Sequence, residues 1–172
     1  MKKSSNSDEA RSRYSCQDRA LRLLEVRRRS EKELRDRLRE AKYPAEEIDR
    51  VIATMKRYNY VNDVDFAFEW VRQRHAMKGK SRAVLRMELR QKGIGDELCQ
   101  SALEQISDDS EHARALEIAR KKARSLKSAP ADSLEYNKYL RRILGMLARR
   151  GFNAGMSMEI AKQVIAERFD SE

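Results

Sequence analysis

The chain has 172 residues, a formal net charge of +10 at pH 7 and a sequence pI of about 9.8. Its six glycines and two prolines, with 38% charged and 40% hydrophobic residues, favour helices around small local cores over sheets. No stretch approaches the roughly 20 apolar residues of a membrane span, and the two distant cysteines support neither a disulfide framework nor a metal site.

The N-terminal part of the chain divides into a polar arm and a first group of helices. Residues 1–14 are rich in serine and short of apolar anchors, so we expect a flexible arm there. In the segment 15–62, apolar residues recur at the intervals of three and four that indicate helices. Ser30 with Glu33 forms a capping box, and Pro44 suits the first position of a further helix. This pattern predicts three helices.

The segment 63–107 repeats this plan. Asp63 is placed to cap a helix, and Gly93 is placed to end the next one. A shift of 51 positions matches Ser30 with Ser81, Leu34 with Leu85, Leu38 with Leu89, Val51 with Ala102, Ile52 with Leu103 and Met55 with Ile106. Repeats of this length indicate stacked units that each need a neighbour to bury an apolar face.

A third copy, with a longer first connection, follows in 108–172. Asp108 and Glu111 are placed to open its first helix, and Pro130 falls in the break after that helix. A shift of 58 positions matches Leu85 with Ile143, Leu89 with Leu147, Gly93 with Gly151, Ile94 with Phe152 and Ile106 with Val164. The sequence therefore predicts an all-α fold of nine helices, in which three tandem three-helix repeats form an elongated, curved array.

Residues typical of catalysis occur without the partners that they need. His75 and His112 lie among charged residues on predicted helices, where we expect exposed side chains rather than bases or metal ligands. The run Gly79-Lys80-Ser81 is similar to the end of a phosphate-binding loop, but Arg74 stands where that motif needs a glycine. We therefore predict no enzymatic activity, no metal and no cofactor, and a cytoplasmic protein with reduced cysteines.

Basic residues are the stronger functional signal. Helix dipoles and i,i+4 pairs explain roughly half of them, but neighbouring acids do not cancel the net excess of +10. A long positive surface attracts phosphate backbones or an acidic protein groove, so we predict contact with a polyanion. The candidate contact residues, chosen from local charge, are Arg27, Arg28, Arg74, Lys78, Lys80, Arg82, Arg86, Arg90, Arg120, Lys121, Lys122, Arg149 and Arg150. Arg141 and Arg142 lie in the same basic surroundings.

Aromatic side chains offer a second way to bind single strands, by stacking on bases. Phe66 and Trp70 lie four positions apart on one predicted helix, a spacing that is better explained by packing. Tyr58 and Tyr60 end the first repeat and are the candidates for exposure, so stacking stays open for these two residues.

Several motifs together resemble the RecX family of RecA modulators. The likeness extends from about Ala20 to Phe169 and is strongest in the first two repeats. The motifs are Ala20-Leu21-x-Leu23-Leu24, Arg28-x-Ser30-Glu31-x-Glu33-Leu34-x-x-x-Leu38, Asn62-Asp63 with Phe66-Ala67, Lys78-Gly79-Lys80-Ser81-Arg82, Glu88-Leu89-Arg90-x-Lys92-Gly93-Ile94 and Arg149-Arg150-Gly151-Phe152. Tyr43-Pro44 departs from the Gly93-Ile94 and Gly151-Phe152 of the later copies, so a different turn shape is expected there.

The resemblance implies a bacterial, cytoplasmic protein that binds the RecA filament on DNA, lies along its groove, and restrains strand exchange and ATP hydrolysis. The basic second and third repeats would dock into that groove, which presents phosphates and carboxylates. Reversing the charges of Lys80, Arg82 and Arg86 should then weaken filament binding and leave the fold intact. The family contributes no catalytic residue. We expect a monomer whose partners are the RecA filament and single- and double-stranded DNA, with no membrane partner.

Two other interpretations suit the same positive charge. An autonomous DNA-binding module would bind naked DNA with steep salt dependence and little sequence preference. A helical-repeat scaffold for another acidic protein would form a stable complex with that protein but would neither modulate RecA nor bind naked DNA. Comparing the affinities for bare and RecA-coated single strands distinguishes the filament modulator from the autonomous module.

Overall fold

The computed structural model describes residues 14–169, and these residues form nine α-helices and no strand. The helices are α1 Cys16–Val26, α2 Glu31–Glu40, α3 Ala45–Arg57, α4 Asp63–Lys78, α5 Arg82–Gln91, α6 Asp96–Leu103, α7 Asp108–Ala123, α8 Ser133–Ala148 and α9 Ala154–Phe169. The predicted all-α repeat array of three helix triplets is therefore confirmed. The flexible arm expected for residues 1–14 lies outside the described residues, apart from Tyr14.

Several helices begin after a residue whose side chain accepts hydrogen bonds from backbone amides, whereas Pro44 precedes α3 without such a bond. The capping box predicted before α2 is present, since Ser30 Oγ accepts from the Glu33 N–H at 3.2 Å and the Glu33 carboxylate accepts from the Ser30 N–H at 3.4 Å. Three other starts differ by one residue from the predicted positions. The residues that precede α3, α4 and α7 as N-caps are Pro44, Asn62 and Ser107.

The described residues divide into two compact units, each with its own core. The first unit consists of residues 14–70 and Leu89–Ala102, and the second consists of Val71–Glu88 and residues 103–169. The middle triplet contributes to both units, because α4, α5 and α6 each cross a boundary between them. The three repeat boundaries expected from the sequence remain a prediction.

Helices α1, α2 and α3 pack around the core of the first unit. The large side chains that are almost completely buried there are Leu34 and Leu38 on α2 and Ile48, Ile52 and Met55 on α3. Their intervals of three and four place them on one face of each helix. On α1, burial together with the nearby Glu47 carboxylate raises the pKa of the Cys16 thiol to about 11.

Helices α7, α8 and α9 pack around the core of the second unit. The buried residues of α7 are Ala115, Ala119 and Ala123, at intervals of four. These small side chains let the larger ones of the next two helices lie close to the backbone of α7. The fully buried large side chains are Ile143 and Leu147 on α8 and Ile160 and Val164 on α9. The opposite face of α8 is left to solvent.

The same backbone turn follows the second helix of each triplet. Lys42, Gly93 and Gly151 occupy its left-handed position, with φ angles of 65°, 81° and 80°. The next residue donates its N–H to a leucine carbonyl in each case, from Tyr43 to Leu38 at 3.3 Å, from Ile94 to Leu89 at 3.1 Å and from Phe152 to Leu147 at 3.3 Å. The expectation of a different turn shape at Tyr43-Pro44 is therefore wrong.

Glycine is required in two of these turns because other residues pack directly against them. A Cβ atom on Gly93 would lie 2.6 Å from Lys32 Cβ, and one on Gly151 would lie 2.7 Å from Ser81 Oγ. Lys42 is exposed in the first triplet, so a side chain is accommodated at the left-handed position there.

Ser30 and Ser81, which the 51-residue shift matches, each donate a hydrogen bond to the turn of the following triplet, Ser30 to the residue before the turn glycine and Ser81 to the turn glycine itself. Ser30 Oγ donates to the Lys92 carbonyl oxygen at 2.7 Å, and Ser81 Oγ donates to the Gly151 carbonyl oxygen at 2.7 Å. Both serines are buried, where a hydroxyl without a partner would be costly. Within each unit, the serine at the start of one triplet's second helix thus holds the turn of the following triplet.

Candidate polyanion-binding surface

Positive charge is distributed unequally between the two units. The described residues of the second unit include 19 lysines and arginines and ten acidic residues, a net charge of +9. Those of the first unit include 15 basic and 14 acidic residues, a net charge of +1. Long-range attraction of a polyanion depends on this unbalanced charge, so the second unit is its main source within residues 14–169.

Arg27, a predicted contact residue of the first unit, is bound to a carboxylate. Its guanidinium donates to both oxygens of Glu33, at 3.0 and 3.1 Å, and Lys92 Nζ lies 2.6 Å from the same carboxylate. Burial by itself would raise the pKa of Glu33, but the hydrogen bonds from Arg27 and Lys92 outweigh burial and lower the pKa to about 2. Arg27 therefore has a structural partner before any ligand is considered.

This cluster should make stability depend on pH in the acid range. Because the folded state lowers the pKa of Glu33, its stabilising effect is complete above the ordinary glutamate pKa and is lost as the pH falls towards 2. We expect Glu33→Gln to lower the free energy of unfolding at pH 7 by about 2 kcal/mol, since Arg27 is partly screened by water. Urea unfolding of both proteins at pH 7, 4 and 2.5 should show this difference shrinking with acidification. A difference that does not change with pH would contradict the assignment.

The two other predicted contact residues of the first unit also have carboxylate partners. Arg28 lies 3.7 Å from a carboxylate oxygen of Asp65, and Arg90 Nε lies 2.7 Å from one of Asp96. Exposed pairs of this kind contribute little stability, but each cancels a positive charge that a polyanion would otherwise feel. The three residues predicted in this unit are therefore weak candidates for the binding surface.

Two of the predicted residues in the second unit hold helices together. Arg82 donates to the carboxylates of Asp108 and Glu111, the second at 3.0 Å. Arg120 donates to both carboxylate oxygens of Glu167 at 2.8 Å and thereby connects α7 to α9. Reversing the charge of Arg82 would therefore disturb the fold as well as binding. The triple reversal of Lys80, Arg82 and Arg86, which was expected to leave the fold intact, is for this reason not a clean test of binding.

The other predicted residues of the second unit differ in their surroundings. Arg74 is half-buried and lies 3.4 Å from Glu88, and Arg86 is exposed on α5. Among residues 14–169, no ion pair involves Lys78, Lys80, Lys121, Lys122, Arg149 or Arg150. These six side chains, exposed or half-buried, keep their charge available to a ligand.

The last residue of α4 and the hydrogen-bonded loop after it present two of these lysines. His75 Nδ1 lies 2.9 Å from the Lys80 carbonyl oxygen, and the Gly79 N–H donates to the His75 carbonyl at 3.1 Å. Gly79 has φ 58°, and a Cβ atom there would overlap the Ile118 side chain. His75 is thus half-buried and holds the loop, instead of being exposed as expected, while Lys78 is exposed beside it.

The solvent face of α8 carries cations that the sequence interpretation did not choose as contacts, since it named Arg141 and Arg142 only as basic residues and left out Lys138. Lys138, Arg141 and Arg142 are all exposed there, and the candidate residues chosen from local charge included none of them. Their spacing opposite the buried Ile143 and Leu147 was the available signal. A search for basic residues on the polar face of each predicted helix would have found them.

The four aromatic residues considered for base stacking, Phe66, Trp70, Tyr58 and Tyr60, belong to the first unit. Phe66 is buried and stacks on Trp70 with ring centroids 5.6 Å apart, which confirms the packing interpretation. Tyr58 and Tyr60 are exposed by 60% and 57%, with their ring centroids 6.5 Å apart. Their exposure leaves base stacking open as a contribution of the first unit.

Other kinds of site find no support in the part of the chain that the structure describes. No group of histidine, cysteine, aspartate and glutamate side chains within 14–169 is arranged to hold a metal ion. Cys16 and Cys99 are buried free thiols. None of the described helices is both long enough and apolar enough to span a membrane.

Two family models match the chain. The model of the first three-helix domain of RecX matches residues 16–55, and that of the second three-helix domain of RecX matches residues 62–103. These ranges correspond closely to the first two helix triplets.

Similar proteins and structures agree with these matches. The chain is 47% identical over 152 residues to the regulatory protein RecX of Corynebacterium efficiens, covering 88% of this chain and 72% of that protein. It is 38% identical over 148 residues to the regulatory protein RecX of Mycolicibacterium smegmatis, covering 85% and 77%. The crystal structure of RecX from Lactobacillus salivarius has a similar fold, with a TM-score of 0.68 at 25% identity over 87% of this chain and 94% of that one.

Proposed function

The chain belongs to the RecX family of regulatory proteins, and from that premise we propose that it binds the RecA–DNA filament in the cytoplasm and restrains RecA's ATP hydrolysis and strand exchange. The family is one of regulators rather than enzymes, and we propose that this chain acts without a catalytic residue, a metal or a cofactor. Its role would then lie in DNA repair, homologous recombination and the SOS response.

The unbalanced charge of the second unit is the observation that carries this proposal. A nucleoprotein filament presents phosphates and protein carboxylates, and the net charge of +9 in that unit attracts both. Of the residues chosen from the sequence, we propose Lys78, Lys80, Lys121, Lys122, Arg86, Arg149 and Arg150 as contacts. We assign Arg82 and Arg120 to the fold because their carboxylate partners already hold them.

The direct test measures RecA-driven, DNA-dependent ATP hydrolysis and strand exchange while the purified protein is titrated in. We expect both activities to fall as the protein concentration rises. We also expect Lys78→Glu with Lys80→Glu to require about tenfold more protein for the same inhibition, because two cations that face the filament would become anions. Unchanged RecA activities over a wide concentration range would refute the proposed function.

A control variant separates specific contacts from total charge. Lys42→Glu with Arg50→Glu makes the same charge change at exposed positions of the first unit, and we expect inhibition close to that of the natural protein. Helical circular dichroism should be the same for all three proteins. Equal losses of inhibition in both double variants would mean that only the net charge of the chain matters.

An autonomous DNA-binding module remains the second candidate, because a net charge of +9 can attract phosphates without a protein partner. It predicts equal or tighter binding to bare single strands than to RecA-coated strands. The filament modulator predicts the reverse. Binding measurements on both forms of the same oligonucleotide, at one salt concentration, decide between them.

A further inference from the structure

The solvent face of α8 carries a line of cations, of which the proposed function uses only Arg149. Lys138, Arg141, Arg142 and Arg149 are all exposed, and their spacing of three, four and eleven residues from Lys138 places them on one side of the helix. Apolar residues occupy the opposite side of α8, where they are buried in the core of the second unit. We call these four cations the α8 ridge.

The acidic residues closest in sequence to the ridge are engaged elsewhere. Asp132 accepts from the Glu135 N–H at 2.8 Å as the N-cap of α8. Glu135 accepts from the Ala131 N–H at 3.1 Å and from the Tyr139 hydroxyl at 3.1 Å. Within residues 14–169, no ion pair involves any member of the ridge. Its four charges are therefore uncompensated by contacts at salt-bridge distance.

The shape of the ridge suits an extended anion. Eleven residues separate Lys138 from Arg149, which corresponds to about 16 Å at ~1.5 Å per residue of helix. One strand of a DNA duplex carries a phosphate every ~3.4 Å along the axis, so this length spans about five phosphates. A concave surface beside the ridge encloses about 860 Å³. It is lined by Lys138, Arg141 and Arg142 together with Leu134 and the two hydrogen-bonded carboxylates of Asp132 and Glu135.

We propose that the α8 ridge binds the phosphodiester backbone of nucleic acid without reading its bases. This inference rests on the proposed function and deepens it, because it assigns the ridge to the nucleic acid of the filament and not to RecA. Arginine forms paired hydrogen bonds to phosphate oxygens, and phosphate contacts position a protein without selecting sequence. The ridge also carries no aromatic residue that would stack on bases. An acidic protein segment would need apolar anchors as well, and the concave surface offers one exposed leucine, Leu134.

The test compares two triple variants that lose the same charge. Lys138→Gln, Arg141→Gln and Arg142→Gln remove three cations of the ridge, while Lys42→Gln, Arg50→Gln and Arg57→Gln remove three exposed cations of the first unit. Binding of a fluorescent oligothymidylate is measured for each protein over a series of NaCl concentrations. We expect the ridge variant to reduce the slope of log affinity against log salt by about 2, because single strands contribute ~0.7 per phosphate contact.

The expected loss of affinity at low salt is about 10- to 100-fold for the ridge variant, and severalfold at most for the control variant. Equal salt slopes and equal affinities for the two variants would overturn the proposal that the ridge binds phosphates. Competition by poly-L-glutamate as effective as that by unlabelled oligothymidylate would also overturn it, in favour of an acidic protein partner. A mixed-sequence oligonucleotide of the same length should bind within about threefold of oligothymidylate, since no base is read.

RecA assays of the same proteins separate this inference from the proposed function. If the natural protein inhibits RecA while the ridge variant retains the full salt slope, the ridge is refuted and the proposed function stands. If the natural protein leaves RecA unaffected while the ridge variant loses its salt slope, the proposed function is refuted and the phosphate contact stands.

Discussion

Gly151→Ala should lower the free energy of unfolding by about 2 to 4 kcal/mol. Gly151 has φ 80°, where any residue with a Cβ atom costs about 1 to 2 kcal/mol. The added methyl would also collide with the Val84 side chain and lie 2.7 Å from Ser81 Oγ, which donates to the Gly151 carbonyl. Urea unfolding followed by circular dichroism measures this change.

Lys42 supplies the matched control, because it occupies the corresponding position of the first triplet with φ 65° and is exposed. We expect Lys42→Gly to raise the free energy of unfolding by up to about 1 kcal/mol, since glycine adopts this conformation without strain. A loss for Gly151→Ala of less than about 1 kcal/mol would show that the turn adjusts, and would contradict the packing argument.

Arg82→Glu should lower the free energy of unfolding by about 3 kcal/mol. This value lies near the lower end of the range for breaking a buried ion pair, because the arginine is partly exposed. The arginine binds Asp108 and Glu111, and the Glu111 carboxylate also accepts from the Arg82 backbone N–H at 2.7 Å. A glutamate there would place three carboxylates together, and Glu111 is only 14% exposed. Chemical unfolding at pH 7 and moderate salt measures the effect.

Lys162→Glu is the control for this second change, since Lys162 is exposed on α9 and has no ion pair among the described residues. We expect it to alter the free energy of unfolding by no more than about 0.5 kcal/mol. Similar losses in the free energy of unfolding for Arg82→Glu and Lys162→Glu would indicate a general sensitivity to net charge. They would contradict the structural role of Arg82.

The fold could be predicted in outline because the apolar spacing and the capping residues are local signals. Ser30 with Glu33 forms the predicted capping box, and the 51-residue shift identified Ser81 as its counterpart. The partners of the two serines could not be predicted, because Lys92 and Gly151 are distant along the chain and no local pattern reports such contacts. For the same reason the sequence showed the glycines but not what packs against them.

The candidate site was harder to predict because charge in a sequence does not reveal its partners. Arg27 and Arg82 looked like free cations, yet Glu33, six residues along the chain, binds the first and Glu111, on another helix, binds the second. The division of net charge between the units also depends on which parts of the middle triplet join each unit. Lys138 was overlooked because it stands alone in the sequence, and only the helical face brings it into line with other cations.

The hydrogen bond from each buried serine to the following turn restricts how such chains can change length in evolution. Losing or duplicating a whole triplet sets the serine of one triplet against the turn of a triplet that it did not face before, because each serine bonds the turn that follows it. The hydrogen bond then survives only where both new neighbours carry their part of it. Related proteins with more triplets should therefore keep this serine and this glycine as a pair inherited together across the junction.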